Sequence, residues 1–184
     1  MLSNLSIKNI ALIQSLDVNF SQGLNILSGE TGAGKSIIID SLSFVLGKRA
    51  DKSLIRYGEN MASVTAVFEN VSQNTNKLLE DFDIESDDFL ILKRSMTVDG
   101  KNTCSVNGQR VNLSTLKEIA STVADIYGQH ENVSALNSSY HLSIIDRYGE
   151  SVLEPIKKAH LQLFDQYTDI CNKLKKYGSL TDVN

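Results

Sequence analysis

Tryptophan is missing from these 184 residues, and Pro155 is the sole proline. Cysteine is scarce: Cys104 and Cys171 stand far apart in sequence, which excludes a metal-ligand spacing. They read as two ordinary buried or half-buried thiols. No apolar run approaches the roughly 20 residues that a membrane-spanning helix needs, so no membrane role is expected. The N-terminus, Met1 to Leu5, lacks a basic stretch followed by an apolar block. No signal peptide is therefore expected, and two thiols fit a reducing cytoplasm. Basic excess is absent too: 18 Lys and Arg face 22 Asp and Glu, for a net charge of -4. That excludes a general basic field for nucleic acid, though not a local basic face. Internal repeats and low-complexity segments are lacking.

What remains has the composition of a globular protein, 41% hydrophobic and 22% charged. Its length suits one domain, or one domain with an appendage. Residues 2–8 and 14–20 read as strands; in the second, Leu16, Val18 and Phe20 alternate with polar residues. Residues 24–28 read as a short third strand, leading into a glycine-rich turn. The segment from Ser36 to Leu46 is apolar almost all round, which predicts a buried helix ended by Gly47. Further strands are expected over 62–69, 89–98 and 102–106, with turns at Asp99-Gly100 and Asn107-Gly108. A short helix over Ser114 to Ser121, capped by Ser114, precedes an expected buried strand over 122–127. Residues 138–148 read as helical.

From Ser151 onward the pattern changes. Leu153, Ile156, His160, Leu163, Tyr167, Ile170, Leu174 and Tyr177 recur at alternating steps of three and four. Such a seam suits a coiled coil or an amphipathic helix packed on its own domain. His160 then sits as a tolerated histidine at the seam's edge. Gly178 to Asn184 read as a frayed or artificial end.

One motif carries chemistry. Gly29-Glu30-Thr31-Gly32-Ala33-Gly34-Lys35-Ser36 fits the phosphate-loop pattern at every fixed position. Its glycines permit positive φ and clear side chains from the loop's inner surface. Successive backbone N–H groups then form an anion-binding nest, aided by the dipole of the following helix. This chemistry calls for ATP, with Lys35 reaching the β- and γ-phosphates and the Ser36 hydroxyl ligating Mg²⁺. With glycine at about 7% of residues, the four fixed positions coincide by chance in roughly one chain of this length per hundred. An apolar segment before the loop and a strong helix after it sharpen the signal.

Weaker candidates stand beside it. Gln129 follows the expected 122–127 strand, either near a γ-phosphate and metal or as a plain loop amide. Arg49 and Arg56 follow the helix, where a guanidinium either reaches a phosphate or faces solvent. Lys93, Arg94, Lys101 and Arg110 cluster around the 89–106 hairpin, as a polyanion contact or as a solvated face. His130 beside Glu131 is compatible with acid–base work or with a plain loop.

Several of these stretches resemble one family. Leu5-Ser6-Ile7-Lys8-Asn9-Ile10-Ala11-Leu12-Ile13 resembles the first strand of the SMC-like ATPases. The loop continued by Ile37 is similar to that of the RecN family of bacterial DNA repair ATPases. Gly47-Lys48-Arg49-Ala50, Leu54 to Glu59, the hairpin from Asp99 to Gly108, and Tyr127-Gly128-Gln129-His130-Glu131 follow in the family's order. The resemblance covers residues 1 to about 150; beyond that only the heptads match.

It implies an α/β fold, the half-head of an ABC-type phosphate-loop ATPase with a mixed sheet. Residues 1–149 would be the N-terminal half of the head, 150–178 the start of a coiled-coil arm, and 179–184 its ragged end. Gln129 would contact Mg²⁺ and the attacking water, Ile37 would join the ATP site, and an arginine in the Arg49 to Arg56 region, Arg56 foremost, would touch phosphate. The implied work is recombinational repair of double-strand breaks in a bacterial cytoplasm, at the nucleoid. The implied partners are DNA, the C-terminal half of the same head, and a second head in a homodimer joined through heads or coil.

Two family elements are absent from the sequence: a Leu-Ser-Gly-Gly signature, and an apolar run ending in Asp-Glu after Gln129. The chain is therefore expected to be an N-terminal fragment, inactive as an ATPase alone. Two rival readings remain. A small phosphate-loop kinase would need an arginine-rich lid and its own acidic metal residue. The other rival is a DNA- or partner-binding module in which nucleotide is a structural ligand.

Overall fold

A computed structural model of the chain describes residues 1–29, 34–126, 141–142, 145–146 and 148–178. Two compact units divide it, Met1–Ile126 and Tyr127–Asn184.

The first unit is built on one six-stranded sheet. Its strands are β1 (Leu2–Ile10), β2 (Ile13–Asn19), β3 (Met61–Glu69), β4 (Phe89–Thr97), β5 (Asn102–Val106) and β6 (Gln109–Val111), in the order β2-β1-β3-β4-β5-β6. The α/β class stands. Within it, every pairing among the described strands is antiparallel where a mixed sheet was expected. The period-two pattern explains the sheet. Leu5 and Ile7 of β1, Ala62, Val64, Ala66 and Phe68 of β3, and Leu90, Leu92 and Met96 of β4 all turn to one face and are buried. The opposite face carries Ser6, Lys8, Ser63, Thr65, Lys93, Ser95 and Ser105 in register across the strands.

Three helices complete this unit: α1 (Lys35–Val45), α2 (Gln73–Asp81) and α3 (Leu113–Ser121). α1 packs against β3, β1 and β4 on the apolar face. α2 and α3 are joined through Thr75, whose hydroxyl donates to Thr122 Oγ1 at 3.0 Å. The Asn107-Gly108 turn forms as expected, with both residues at positive φ, 46° and 82°. It leads into β6, whose three residues are too few to show an alternation in the sequence.

Four expectations require correction. Residues 24–28 form no strand: Leu24 and Ile26 are exposed, at 87% and 78%. The Asn25 amide instead binds Ser21, accepting from its N–H and donating to its carbonyl, and no described strand lies alongside. Residues 122–126, the described part of the expected 122–127 strand, leave α3 in turns, with Thr122 and Val123 N–H bonding back to Ile119 and Ala120. α1 is not buried all round: Phe44 and Val45 are, while Ile39 is 43% exposed, because the sheet covers only one side of the helix. Asn112, not Ser114, caps α3, since its side-chain oxygen accepts the Thr115 N–H at 2.8 Å.

The second unit contains α4 (Glu150–Gly178). By helical rise this is about 43 Å long. Gly149 starts it, its carbonyl accepting from Val152 and Leu153. Of the heptad positions, Ile156, Leu163, Tyr167, Ile170 and Leu174 are all more than half exposed. His160 stacks on Phe164 one turn later, with ring centroids 6.2 Å apart. Residues 141–142, 145–146 and 148 are helical, as expected for 138–148. The ragged end at 179–184 lies outside the described residues.

Candidate nucleotide-binding site

The phosphate-loop motif is described at its two ends. Gly29 closes the incoming segment and Gly34 is the N-cap of α1, while Glu30, Thr31, Gly32 and Ala33 lie outside the described residues. A glycine cap offers no side-chain oxygen, and α1 begins with no side-chain capping bond and no carboxylate in its first turn. The N–H groups of that turn, with no side-chain cap among the described residues, suit an incoming anion. Lys35 reaches back from the first helical residue and donates to the Gly29 carbonyl oxygen. One ammonium thus ties the two ends of the loop together. Ser36 is exposed beside it, and Ile37 is partly buried against the core. Among the described residues the site offers one ammonium and an uncapped helix N-terminus, which fits a polyphosphate. An exposed hydroxyl next to it fits a hard divalent cation.

The far end of α1 is held in a different way. Gly47, at φ +96°, donates to the Phe44 carbonyl at 3.1 Å, and Lys48 N–H donates to that of Ser43 at 3.1 Å. These two bonds make a Schellman stop. An arginine sits under it. Arg94 projects from β4 to the apolar face and is 2% exposed. Its Nη1 donates to the Phe44 and Lys48 carbonyls at 2.7 Å each, and Nη2 to Asn102 Oδ1 at 3.1 Å. Its guanidinium carbon lies 4.3 Å from the centre of the Phe44 ring. Burial lowers its pKa below the usual arginine range.

Arg94 is therefore no part of a polyanion contact. Residue type alone places it at the surface, because arginines are rarely buried. Its parity with Leu90, Leu92 and Met96 is the signal that places it inside. The other members of that group divide differently. Lys93 and Arg110 flank Ser105 on the polar face, through the register Lys93–Ser105–Arg110, and Lys101 is exposed in the hairpin turn.

Arg56 lies at the β1–β2 turn, its guanidinium donating to the Leu12 carbonyl at 2.5 Å and its N–H to that of Asn9 at 3.0 Å. The structure shows it bound to that turn and not to the loop ends. Arg49 is exposed just past the Schellman stop and lines a groove there with Arg94, Asn102 and Lys117. Gln129, His130 and Glu131 fall outside the described residues.

Similarity to known proteins agrees with this geometry. A family model described as an AAA domain matches residues 4–182. The DNA repair protein RecN of Bacillus subtilis is 36% identical over 181 residues, covering 96% of this chain and 31% of that protein. The RecN of Halalkalibacterium halodurans is 40% identical over 169 residues, 91% of this chain and 30% of its own length. The chain thus spans about a third of the curated relatives it matches. Among solved structures, an Smc head domain with a coiled coil and joint, derived from Pyrococcus yayanosii, superposes with a TM-score of 0.61 at 21% identity. That match covers 98% of this chain and 40% of the other, and it shows the fold. The chain belongs to the AAA-domain family, and within it the sequence is similar to the RecN DNA repair proteins.

Proposed function

We propose that this chain is the ATP-binding N-terminal part of the head of a RecN-like DNA repair ATPase, acting in recombinational repair of double-strand breaks. One observation carries the reading: an uncapped helix N-terminus whose first residue, Lys35, is turned back onto the loop at Gly29. The similarity to proteins named for DNA repair favours this reading over a small kinase.

In this reading Gly29 to Ser36, with Ile37, hold ATP. Lys35 releases Gly29 and turns to the β- and γ-phosphates, and Ser36 binds Mg²⁺, with Gln129 as a second candidate ligand. Bound Mg²⁺ would neutralise charge on the phosphates. Arg56 is a lesser candidate for phosphate contact, given its bond to Leu12. Hydrolysis would await the C-terminal half of the head and a second, dimeric head, because phosphoryl transfer needs positioned water, metal and opposing charge together. In domain terms, 1–149 would be the half-head and 150–178 the root of a coiled-coil arm, whose exposed seam suits a partner helix. DNA would meet the polar sheet face at Lys93 and Arg110 and the turn at Lys101. The protein would work in a bacterial cytoplasm, at the nucleoid.

The test is nucleotide binding. Lys35→Ala should abolish titration by a fluorescent ATP analogue; an unchanged affinity overturns the assignment. The chain alone should show almost no turnover, with activity returning when the C-terminal half is added. Robust hydrolysis by the chain alone would refute the composite-site part of the proposal.

A further inference from the structure

Phosphate chemistry belongs to one end of α1, yet the most heavily bonded buried cation among the described residues lies at the other. Three side chains converge there from separate elements: Phe44 from α1, Arg94 from β4 and Asn102 from β5. Arg94 has no carboxylate at ion-pair distance among the described residues, and its Nε has no hydrogen-bond partner. A buried guanidinium without an anion is costly unless something else compensates it. Here the compensation is the negative end of α1, through the Phe44 carbonyl, with the Lys48 carbonyl just past the helix and the face of the Phe44 ring.

The arrangement is specific in a way that apolar packing is not. A hydrophobic contact lets a helix slide or rotate by an ångström at little cost. Two charge-assisted bonds, one to the Phe44 carbonyl in the last turn and one to the Lys48 carbonyl just past the stop, fix both the helix's rotation and its axial position. The Asn102 amide, which also donates to the Gly100 carbonyl, fixes the guanidinium in turn. α1 is a rigid rod of 11 residues. Whatever fixes its C-terminal end therefore sets the place of Gly34 and Lys35, about 16 Å away by helical rise.

We infer that Arg94 is a positioning residue for the phosphate loop: it locks the C-terminal end of α1 to the β4–β5 hairpin and so holds the loop in register for nucleotide. This rests on the phosphate-loop reading above. The residue touches no nucleotide atom in this account; it acts through the helix.

The experiment uses this chain and its Arg94→Met, Arg94→Lys, Asn102→Ala and Lys35→Ala variants. Fluorescent-ATP titration is run well below each melting temperature, and amide hydrogen exchange is followed over residues 35–47. A residue that merely stabilises the fold would lower the melting temperature and leave the affinity of the folded protein alone. Arg94→Met should weaken ATP binding about tenfold and speed exchange across 42–47, while protection in β3 stays as in the parent chain. Arg94→Lys should recover part of the affinity, because an ammonium keeps the charge and can bond carbonyls but lacks the planar fork that reaches the carbonyls through Nη1 and Asn102 through Nη2. Asn102→Ala should weaken binding two- to threefold.

Folded Arg94→Met with parental affinity and parental exchange in α1 overturns the inference. If Arg94→Met does not fold, Asn102→Ala decides: parental affinity and exchange there overturn it equally. Loss of affinity in the Arg94 variants without any change in Lys35→Ala would refute the phosphate-loop reading instead. The helix-locking role is then read from exchange alone.

Discussion

Lys35 donates to the carbonyl oxygen of Gly29, six residues back and across the phosphate loop. The bond is exposed and local, so it contributes little to global stability. Its value is conformational: it holds the ammonium at Gly29, beside the N-terminus of α1. Lys35→Ala should therefore leave the melting temperature within about 2 °C of the parent chain, a typical effect for a surface substitution. A large drop by calorimetry would mean that Lys35 is structural.

Gly47→Ala should be among the more harmful single-methyl additions. The backbone at Gly47 has φ +96°, and an added Cβ would stand 3.0 Å from Lys117 Cβ. Forcing an L side chain there costs about 1–3 kcal/mol, measurable by urea denaturation. Gly108→Ala, with positive φ but open space around it, should cost less.

The α3 cap separates two neighbouring residues. Asn112→Ala should lose about 1 kcal/mol, since the Asn112 side chain accepts the Thr115 N–H. Ser114→Ala, whose hydroxyl only donates to that cap, should stay within about 0.5 kcal/mol. Equal losses would contradict the cap seen here.

Cys104 gives a pH dependence. Burial, the largest cause, raises its pKa above the ordinary 9.0, with nearby Arg94 opposing in part. The stability it contributes is fully present below pH 9.0 and lost as pH rises through the higher folded value, because the unfolded chain gives up the proton first. Cys104→Ala should flatten that alkaline fall in thermal melts. The same burial predicts slow labelling by a thiol reagent in the native state, with half-buried Cys171 reacting first.

Polyanion contact can be assigned by face. Lys93→Ala and Arg110→Ala should each reduce the salt slope of any DNA binding by about one unit. Arg94→Lys should not change that slope, since Arg94 lies on the other side of the sheet. A salt-independent affinity would rule out the polar face as the contact.

Much of the fold could be read from side-chain alternation. β1, β3, β4 and β5 carry a period of two that survives in the burial pattern. α2 was missed because its sequence, Gln73 to Asp81, is largely polar and buries only Thr75 and Leu79. The 24–28 segment misleads for the opposite reason. Leu24, Ile26 and Leu27 have strand character, but a strand is a paired state, and pairing is not a property of five residues. At the site, the loop pattern was visible because its chemistry is local to eight residues. Arg94 was not, because its partners lie 50 and 46 positions away.

Neighbouring residues Lys93 and Arg94 occupy opposite faces of one strand. A slip of β4 by a single residue would bury an ammonium, which lacks the fork that joins the carbonyls to Asn102, and would expel the guanidinium that has it. The pair thus works as a parity check on strand pairing: only one of the two threadings closes the end of α1. An error in sheet assembly is penalised at once, before any ligand is present to reveal it.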